Sequence, residues 1–506
     1  MEGKKVAIVT PEYYGLAMAG GLGMAVHGLA QALQKQGMDV SVIMPAYYGD
    51  KPFVNYMAKN LEGFNVDFSE VDGIKIRTVE GLKIGEPIAS GPLAPYISDS
   101  VYRIESVRAF TAASVFGAAI PVVLQKIEAE SNWVPDIIHL HEWQTAPAVF
   151  ELRNNDKFKK TPVVMTIHNA NYIGAVPSPK NLHDYFLKGL IEDSGISKAM
   201  TVVIQRDGDY FASLLEMGVH YSDTVTTVSQ SYTKEILDGS AGIEKGLERR
   251  IKEKSSEGAL VGILNGIDYE LMNPKKDPHI IPFDPDDLES VAYGKGLNKL
   301  RLTQFLNNTK GGHLEPDSRT MHISMMSRLV KEKGIDMVLG ALGMLEKVGG
   351  IQLLIVGEAY DNNMRREVDY LRKGNLIGCS HFVGPQVQHL ILAGSDAMLV
   401  PSLSEPCGLV PMEGMRYGAL PITTAVGGMR DTIIPFYEKE GYGFCIEERS
   451  AKGIVSAIIR AREVFNDKQQ WRVAVKNALT RDFSWDHAVG NYIELYERLL
   501  QNSQPS

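Results

Sequence analysis

Hydrophobic positions near the start of the chain alternate between short continuous runs and a helical stripe. Lys5-Val-Ala-Ile-Val is a compact apolar run, and Val26, Leu29, Ala30 and Leu33 share one face of a helix predicted between Gly23 and Lys35. Asp39-Val-Ser-Val-Ile-Met follows as a second run. Together they predict a βαβ unit with glycines at its first turn. The alternation continues through Asp136-Ile-Ile-His-Leu-His, Pro162-Val-Val-Met-Thr-Ile-His and Thr224-Val-Thr-Thr-Val, each a candidate parallel strand with a polar residue at its C-terminal end. Ligands of open α/β sheets gather at those ends.

A second series begins after the charged, helix-like segment Glu248 to Glu257. Its strands are expected at Met321-His-Ile-Ser-Met-Met, Ile351-Gln-Leu-Leu-Ile-Val, Ser380-His-Phe-Val, Ala397-Met-Leu-Val and Leu420-Pro-Ile-Thr. Lys275 to Asp287, rich in Pro and Asp, reads as an irregular connector. The predicted class is therefore α/β with two Rossmann-like domains, residues 1–257 and 258–485. Residues 486–506 form a terminal amphipathic helix, with Ala488, Tyr492, Leu495, Tyr496 and Leu499 at helical spacing.

Length agrees with this division, since 506 residues exceed what one hydrophobic core usually supports. A hydrophobic share of 44% and a charged share of 22% are those of a soluble globular protein. The net charge of −9 argues against a nucleic-acid partner, which calls for a clustered basic patch. Cys379, Cys407 and Cys445 are too few and too scattered for a disulfide framework or a metal site, and fit a reducing cytoplasm. The apolar run Val6 to Val9 is too short for a signal-peptide core. Ala112 to Leu124, interrupted by Ser114 and Pro121, falls short of the roughly 18 residues of a membrane span and reads as a buried helix. No membrane, metal or cofactor is expected, and the sequence leaves the oligomeric state open.

The densest chemistry lies in Glu405-Pro-Cys-Gly-Leu, with Glu413 eight positions on, then Tyr417-Gly-Ala-Leu-Pro and Val426-Gly-Gly-Met-Arg-Asp-Thr. Each carboxylate can accept hydrogen bonds from paired hydroxyls, one from a sugar and one from a ribose. The glycines let backbone N–H groups approach phosphate oxygens. This segment resembles the donor-site signature of bacterial glycogen and starch synthases, which are retaining glycosyltransferases. The similarity spans nearly the whole chain: Pro11-Glu12-Tyr13 with Gly20-Gly21-Leu22, His141-Glu142-Trp143, His168-Asn169-Ala170-Asn171-Tyr172, Leu264-Asn265-Gly266-Ile267-Asp268, Ser327-Arg328-Leu329 through Lys333-Gly334, and Asp482-Phe483-Ser484-Trp485.

The resemblance implies a GT-B fold, two Rossmann-like domains facing across a central cleft, with the C-terminal helix returning to the first domain. It implies a nucleoside diphosphate sugar donor and a glucan acceptor. Arg328 and Lys333 correspond to the phosphate-binding pair, Glu405 to the residue on the donor sugar, Glu413 to the residue on the ribose, and His168 to a histidine lying against the sugar. Gly20, Gly21, Gly408, Leu409, Gly427 and Gly428 fall on the donor side. Cys407 sits in the same loop, where it shapes a turn rather than acting as a nucleophile. His141, Glu142, Trp143, Asn169 and Tyr172 fall on the acceptor side. His139 and His141 share one strand face, but without a third ligand they read as core and site wall rather than metal ligands.

Several positions depart from the family pattern. Met18 stands where a lysine precedes the glycine pair, and Met24 where an Asp is usual. Ala212-Ser213-Leu-Leu-Glu216 replaces a stretch with Asn and Lys, and Gly357-Glu358-Ala359 a Gly-x-Gly. Glu142 replaces Asp, and Gln144 replaces His. Three functions stay open at this level: glucosyl transfer from ADP-glucose or UDP-glucose to an α-1,4-glucan, a specialised transfer to a small-molecule acceptor, and binding of glycan or nucleotide with weak catalysis.

Overall fold

The computed structural model describes residues 1–17, 20–45, 65–80, 107–177, 211–310, 319–359, 361–373, 376–380 and 384–502. Met18 lies outside them, as do the last three positions, 381–383, of one expected strand. The chain forms two compact units: unit 1 holds Met1–Gly266 and Trp485–Ser506, and unit 2 holds Ile267–Ser484.

The described strands of unit 1 are β1 (Lys5–Val9), β2 (Asp39–Pro45), β3 (Asn65–Val71), β4 (Ile74–Glu80), β5 (Ile137–His141), β6 (Val163–Ile167), β7 (Ala175–Pro177), β8 (Phe211–Ser213), β9 (Thr224–Thr227) and β10 (Leu260–Gly262). Eight of them make one sheet in the order β10-β9-β6-β5-β1-β2-β4-β3, parallel except for the β3/β4 pair. Central strands buried on both faces read as apolar runs, unbroken over Val6 to Val9 in β1 and interrupted in β5 by the buried His139 and His141. Alternate side chains enter different cores. Ala7, Val9, Ile138 and Leu140 pack with the helices Val107–Ser131 and Pro147–Asn154. Val6, Ile8 and Ile137 pack with the helix Gly21–Lys35 and the C-terminal helix Trp485–Asn502. The last two helices approach so closely that a Cβ at Gly28 would strike the Trp485 indole.

Unit 2 repeats the plan with β11 (Met321–Met326), β12 (Ile351–Val356), β13 (Arg372–Lys373), β14 (Leu376–Cys379), β15 (Ala397–Val400), β16 (Leu420–Thr423) and β17 (Phe444–Cys445). Their order is β13-β14-β12-β11-β15-β16-β17, parallel except at β13/β14. The strand expected from Ser380 begins earlier, at Leu376, in register with Leu353 of β12. Gly378 broke the apolar pattern there, and it is required because a Cβ would collide with the Val368 carbonyl. Residues 275–287 carry neither helix nor strand, as their Pro and Asp content predicts.

Candidate functional site

In unit 2, the candidate donor-side groups converge at the C-terminal ends of β11 and β15. The loop after β15 leads into the helix Leu409–Arg416, with Gly408 at its N-terminus in the left-handed region, φ 86°. Gly427, φ 46°, lies so close that a Cβ would strike the Glu405 carbonyl, and Gly428 N–H donates to that carbonyl at 3.0 Å. Only glycine permits this backbone-on-backbone contact. Gly428 is likewise pressed on the Cys407 carbonyl, and Cys407 is buried as part of the turn. Leu409 opens the helix, half-buried.

Glu405 Oε2 accepts from Lys333 Nζ at 2.7 Å and from Ser402 Oγ at 3.0 Å. The ion pair is mostly shielded, with side-chain exposures of 14% and 15%. Lys333 stands on a single 3₁₀ turn, Lys331–Lys333, closed by Gly334, whose α-carbon is packed on the Pro401 carbonyl. Leu403 N–H donates to Glu332 O at 2.7 Å, so the two loops are joined through their backbones as well. Arg328 lies half-buried on the same loop, five residues earlier. The altered Gly357-Glu358-Ala359 segment supports it: Gly357 abuts the Ser327 carbonyl, and Leu329 N–H donates to Glu358 O at 2.8 Å.

Glu413, on the helix Leu409–Arg416, is 5% exposed, and its Oε2 has no hydrogen-bond partner among the described residues. Burial pushes its carboxyl up to about 7, against a smaller downward pull from His389. Sequence reasoning missed the network beside it: Asp277 Oδ2 accepts from Tyr417 Oη at 2.5 Å and lies 2.6 Å from His389 Nδ1. Burial works to raise the Asp277 carboxyl, but the hydrogen bonds from His389 and Tyr417 outweigh it and hold the group below the usual range. Tyr417 was within a quoted stretch; Asp277 hid in the irregular connector.

In unit 1, the candidate acceptor-side residues occupy the ends of β5 and β6. Glu142 takes a left-handed backbone, φ 66°, unusual for a non-glycine residue. Its Oε1 accepts from the N–H groups of His168 at 2.5 Å and Asn169 at 2.8 Å. Burial drives its carboxyl up to about 8; the backbone N–H donors pull it down, and nearby Glu12 pushes it up. The extra reach of Glu over Asp is thus spent on the turn that carries His168. His141 Nδ1 lies 3.0 Å from His168 Nε2. Trp143 belongs to the apolar core, with Gly174 packed on its indole, and Tyr172 packs against that core half-buried. Asn169 Oδ1 accepts from Asn171 N–H at 3.0 Å, an Asx turn.

Gly21 opens the helix Gly21–Lys35, but the N–H of Gly20 donates to Glu12 Oε2 at 3.2 Å. Met24 is half-buried in the helix's first turn. Ser213 caps the helix Leu214–Tyr221 by accepting from Glu216 N–H at 3.1 Å, and Glu216 pairs with Arg250. Among the described residues, no group of three or more His, Cys, Asp or Glu could hold a metal ion. No described helix is long and apolar enough to cross a membrane.

Residues 5–253 match the family model described as "Starch synthase catalytic domain", and residues 313–478 match "Glycosyl transferases group 1". A glycogen synthase of Caldicellulosiruptor saccharolyticus is 32% identical over 518 residues, covering 98% of this chain and 100% of that one. A glycogen synthase of Marinomonas sp. is also 32% identical, over 508 residues, with the same coverage. Among solved structures, the catalytic domain of starch synthase IV from Arabidopsis thaliana, bound to ADP and acarbose, superposes with a TM-score of 0.81 at 26% identity, covering 99% of this chain and 100% of that chain. Sucrose-phosphate synthase from Thermosynechococcus elongatus, at 18% identity and a TM-score of 0.58 with coverage of 99% and 100%, shares the fold. Two parallel-sheet units with this superposition define a glycosyltransferase of the GT-B fold. The chain belongs to the glycogen and starch synthase family, whose members transfer a glucosyl unit from a nucleotide sugar to a glucan.

Proposed function

We propose that the chain uses ADP-glucose to extend an α-1,4-glucan with retention at the anomeric carbon. The Lys333–Glu405 pair carries this reading, because it brings together the two chemistries the donor requires: a cation for the diphosphate and a carboxylate for sugar hydroxyls. Lys333 and Arg328 would hold the charge that develops on the leaving diphosphate. The C1–O bond to the donor phosphate breaks with its electron pair going to that oxygen. The acceptor hydroxyl attacks C1 on the same face, and its proton passes to the leaving phosphate. Glu413 would accept from the ribose hydroxyls, satisfying an oxygen without a partner among the described residues. Residues 408–409 and 427–428 would shape the donor loop, His168 and Asn169 would face sugar, and Gly21 would offer its N–H at a helix start. The remaining acceptor-side candidates, His141, Glu142, Trp143 and Tyr172, would support that wall from behind.

The choice of adenine draws support from the ADP held by the 26%-identical starch synthase IV structure. Purified protein given radiolabelled ADP-glucose or UDP-glucose with glycogen tests the proposal. Glycogen-dependent ADP release with label in the polymer is expected. Transfer from UDP-glucose alone overturns the base assignment, and label appearing only in small products overturns the acceptor.

A further inference from the structure

At the end of β6 two imidazoles meet. His141, 1% exposed, sets its Nδ1 3.0 Å from His168 Nε2. Burial holds both rings neutral, pulling His168 down to about 3 and His141 well below its usual range. Of two neutral rings in a hydrogen bond, one donates and the other accepts. If His168 donated from Nε2, His141 would carry its own proton on Nε2, a buried atom with no partner among the described residues. His139 offers it no acceptor, although the two rings stack with centroids 4.2 Å apart. Both nitrogens of His139 are engaged, Nδ1 with Tyr496 Oη at 2.7 Å and Nε2 with Thr166 Oγ1 at 2.6 Å. If His141 donates from Nδ1 instead, its Nε2 is only an underused acceptor, and unpaired buried N–H groups are the rarer of the two defects.

We propose that His141 is a positioning residue whose Nδ1–H locks His168 in the tautomer protonated at Nδ1, so that His168 presents an N–H donor, rather than a base, to a sugar oxygen. Two contacts hold the ring in place and leave the donor open. Glu142 grips the His168 backbone N–H, His141 occupies Nε2, and Nδ1 is not engaged by any described residue. The sugar as recipient rests on the function proposed above; the tautomer does not.

Nitrogen-15 histidine NMR on the full chain reads the tautomer directly, with His168→Gln identifying the signal. The expected wild-type pattern has the proton on Nδ1. His141→Leu should give mixed tautomers at His168 and a roughly tenfold fall in kcat/KM, the scale of one lost hydrogen bond. His141→Asn, whose amide nitrogen reaches the Nδ1 position, should recover part of that loss together with the Nδ1–H signature. Wild-type His168 protonated at Nε2 overturns the proposal, as does His141→Leu with tautomer and kcat/KM unchanged. The expected tautomer in a protein that transfers no glucose would leave the lock standing and remove the functional reading.

Discussion

Arg250 Nε donates to Glu216 Oε1 across 3.2 Å, with only 2% and 5% of the two side chains exposed. The pair joins the helices Leu214–Tyr221 and Lys245–Ser256 inside unit 1. Removing one partner leaves a buried charge poorly compensated, although Glu253, 2.9 Å from Arg250, softens the loss. Glu216→Ala should therefore destabilise by roughly 3 kcal/mol, and Glu216→Ala with Arg250→Leu by clearly less. Urea unfolding of both proteins measures this. An unchanged midpoint in the single variant would show that the pair contributes nothing.

Lys333 and Arg328 should each reduce turnover by on the order of 10²-fold when changed to Ala, because each removes a charge that counts most as the diphosphate leaves. Folding should survive, as judged by circular dichroism. Lys333→Ala also strands Glu405, which then repels the donor phosphates. Adding Glu405→Gln to Lys333→Ala should therefore cost less than the two single losses multiplied together. Strictly multiplicative losses would argue that the ion pair is not a working unit.

These residues also mark what the sequence could reveal. Strands β1 and β15 were legible as apolar runs buried on both faces, and β5, β11 and β12 as apolar runs broken only by His139 and His141, by His322 and Ser324, and by Gln352. The Glu405 loop was legible because its glycines are forced by backbone collisions and its carboxylates are few. Glu216 was different: the sequence marked it only as a departure from the family pattern, whereas its partner lies 34 residues away on another helix. The contacts of Glu142 were equally hidden, since its carboxylate turns inward to two N–H groups. No periodicity or local motif records a contact made by tertiary folding, so the sequence showed neither Asp277 and His389 nor their link to Tyr417, which stood in a quoted stretch.

These buried groups should place the stability maximum at about pH 5.5, where two opposing losses balance. His139 and His168, lowered from 6.5 to about 3, stay neutral when folded, so the unfolded chain takes up protons first and stability falls as pH drops below 6.5. Glu142 and Glu413, raised from 4.5 to about 8 and about 7, hold protons that the unfolded chain has released. Their contribution is therefore lost as pH rises from 4.5 through 8. Glu142→Gln keeps an oxygen for the His168 and Asn169 N–H groups while removing the ionisation. Its melting temperature should gain on the wild type at pH 8 relative to pH 5, and parallel curves would show that Glu142 does not titrate in this window.

Under the proposed function, Glu413 would tie donor binding to pH. Its buried carboxylate has one oxygen without a partner among the described residues, and burial raises it to about 7. A ribose offers two hydroxyl donors, which an ionised carboxylate can accept together; a protonated carboxyl turns one oxygen into a donor and loses part of that match. The donor KM of the wild type should therefore rise as pH falls from 8 to 6, while kcat for bound donor changes less. Glu413→Gln fixes the group in a mixed donor and acceptor form at every pH. Its donor KM should be about tenfold higher at pH 8, the scale of one hydrogen bond to a charged group, and nearly flat across the same range. Initial rates over a donor titration at several pH values separate the two behaviours. A flat wild-type KM, or a variant that keeps the wild-type pH dependence, would place the ribose elsewhere and leave Glu413 as a buried acid of the helix.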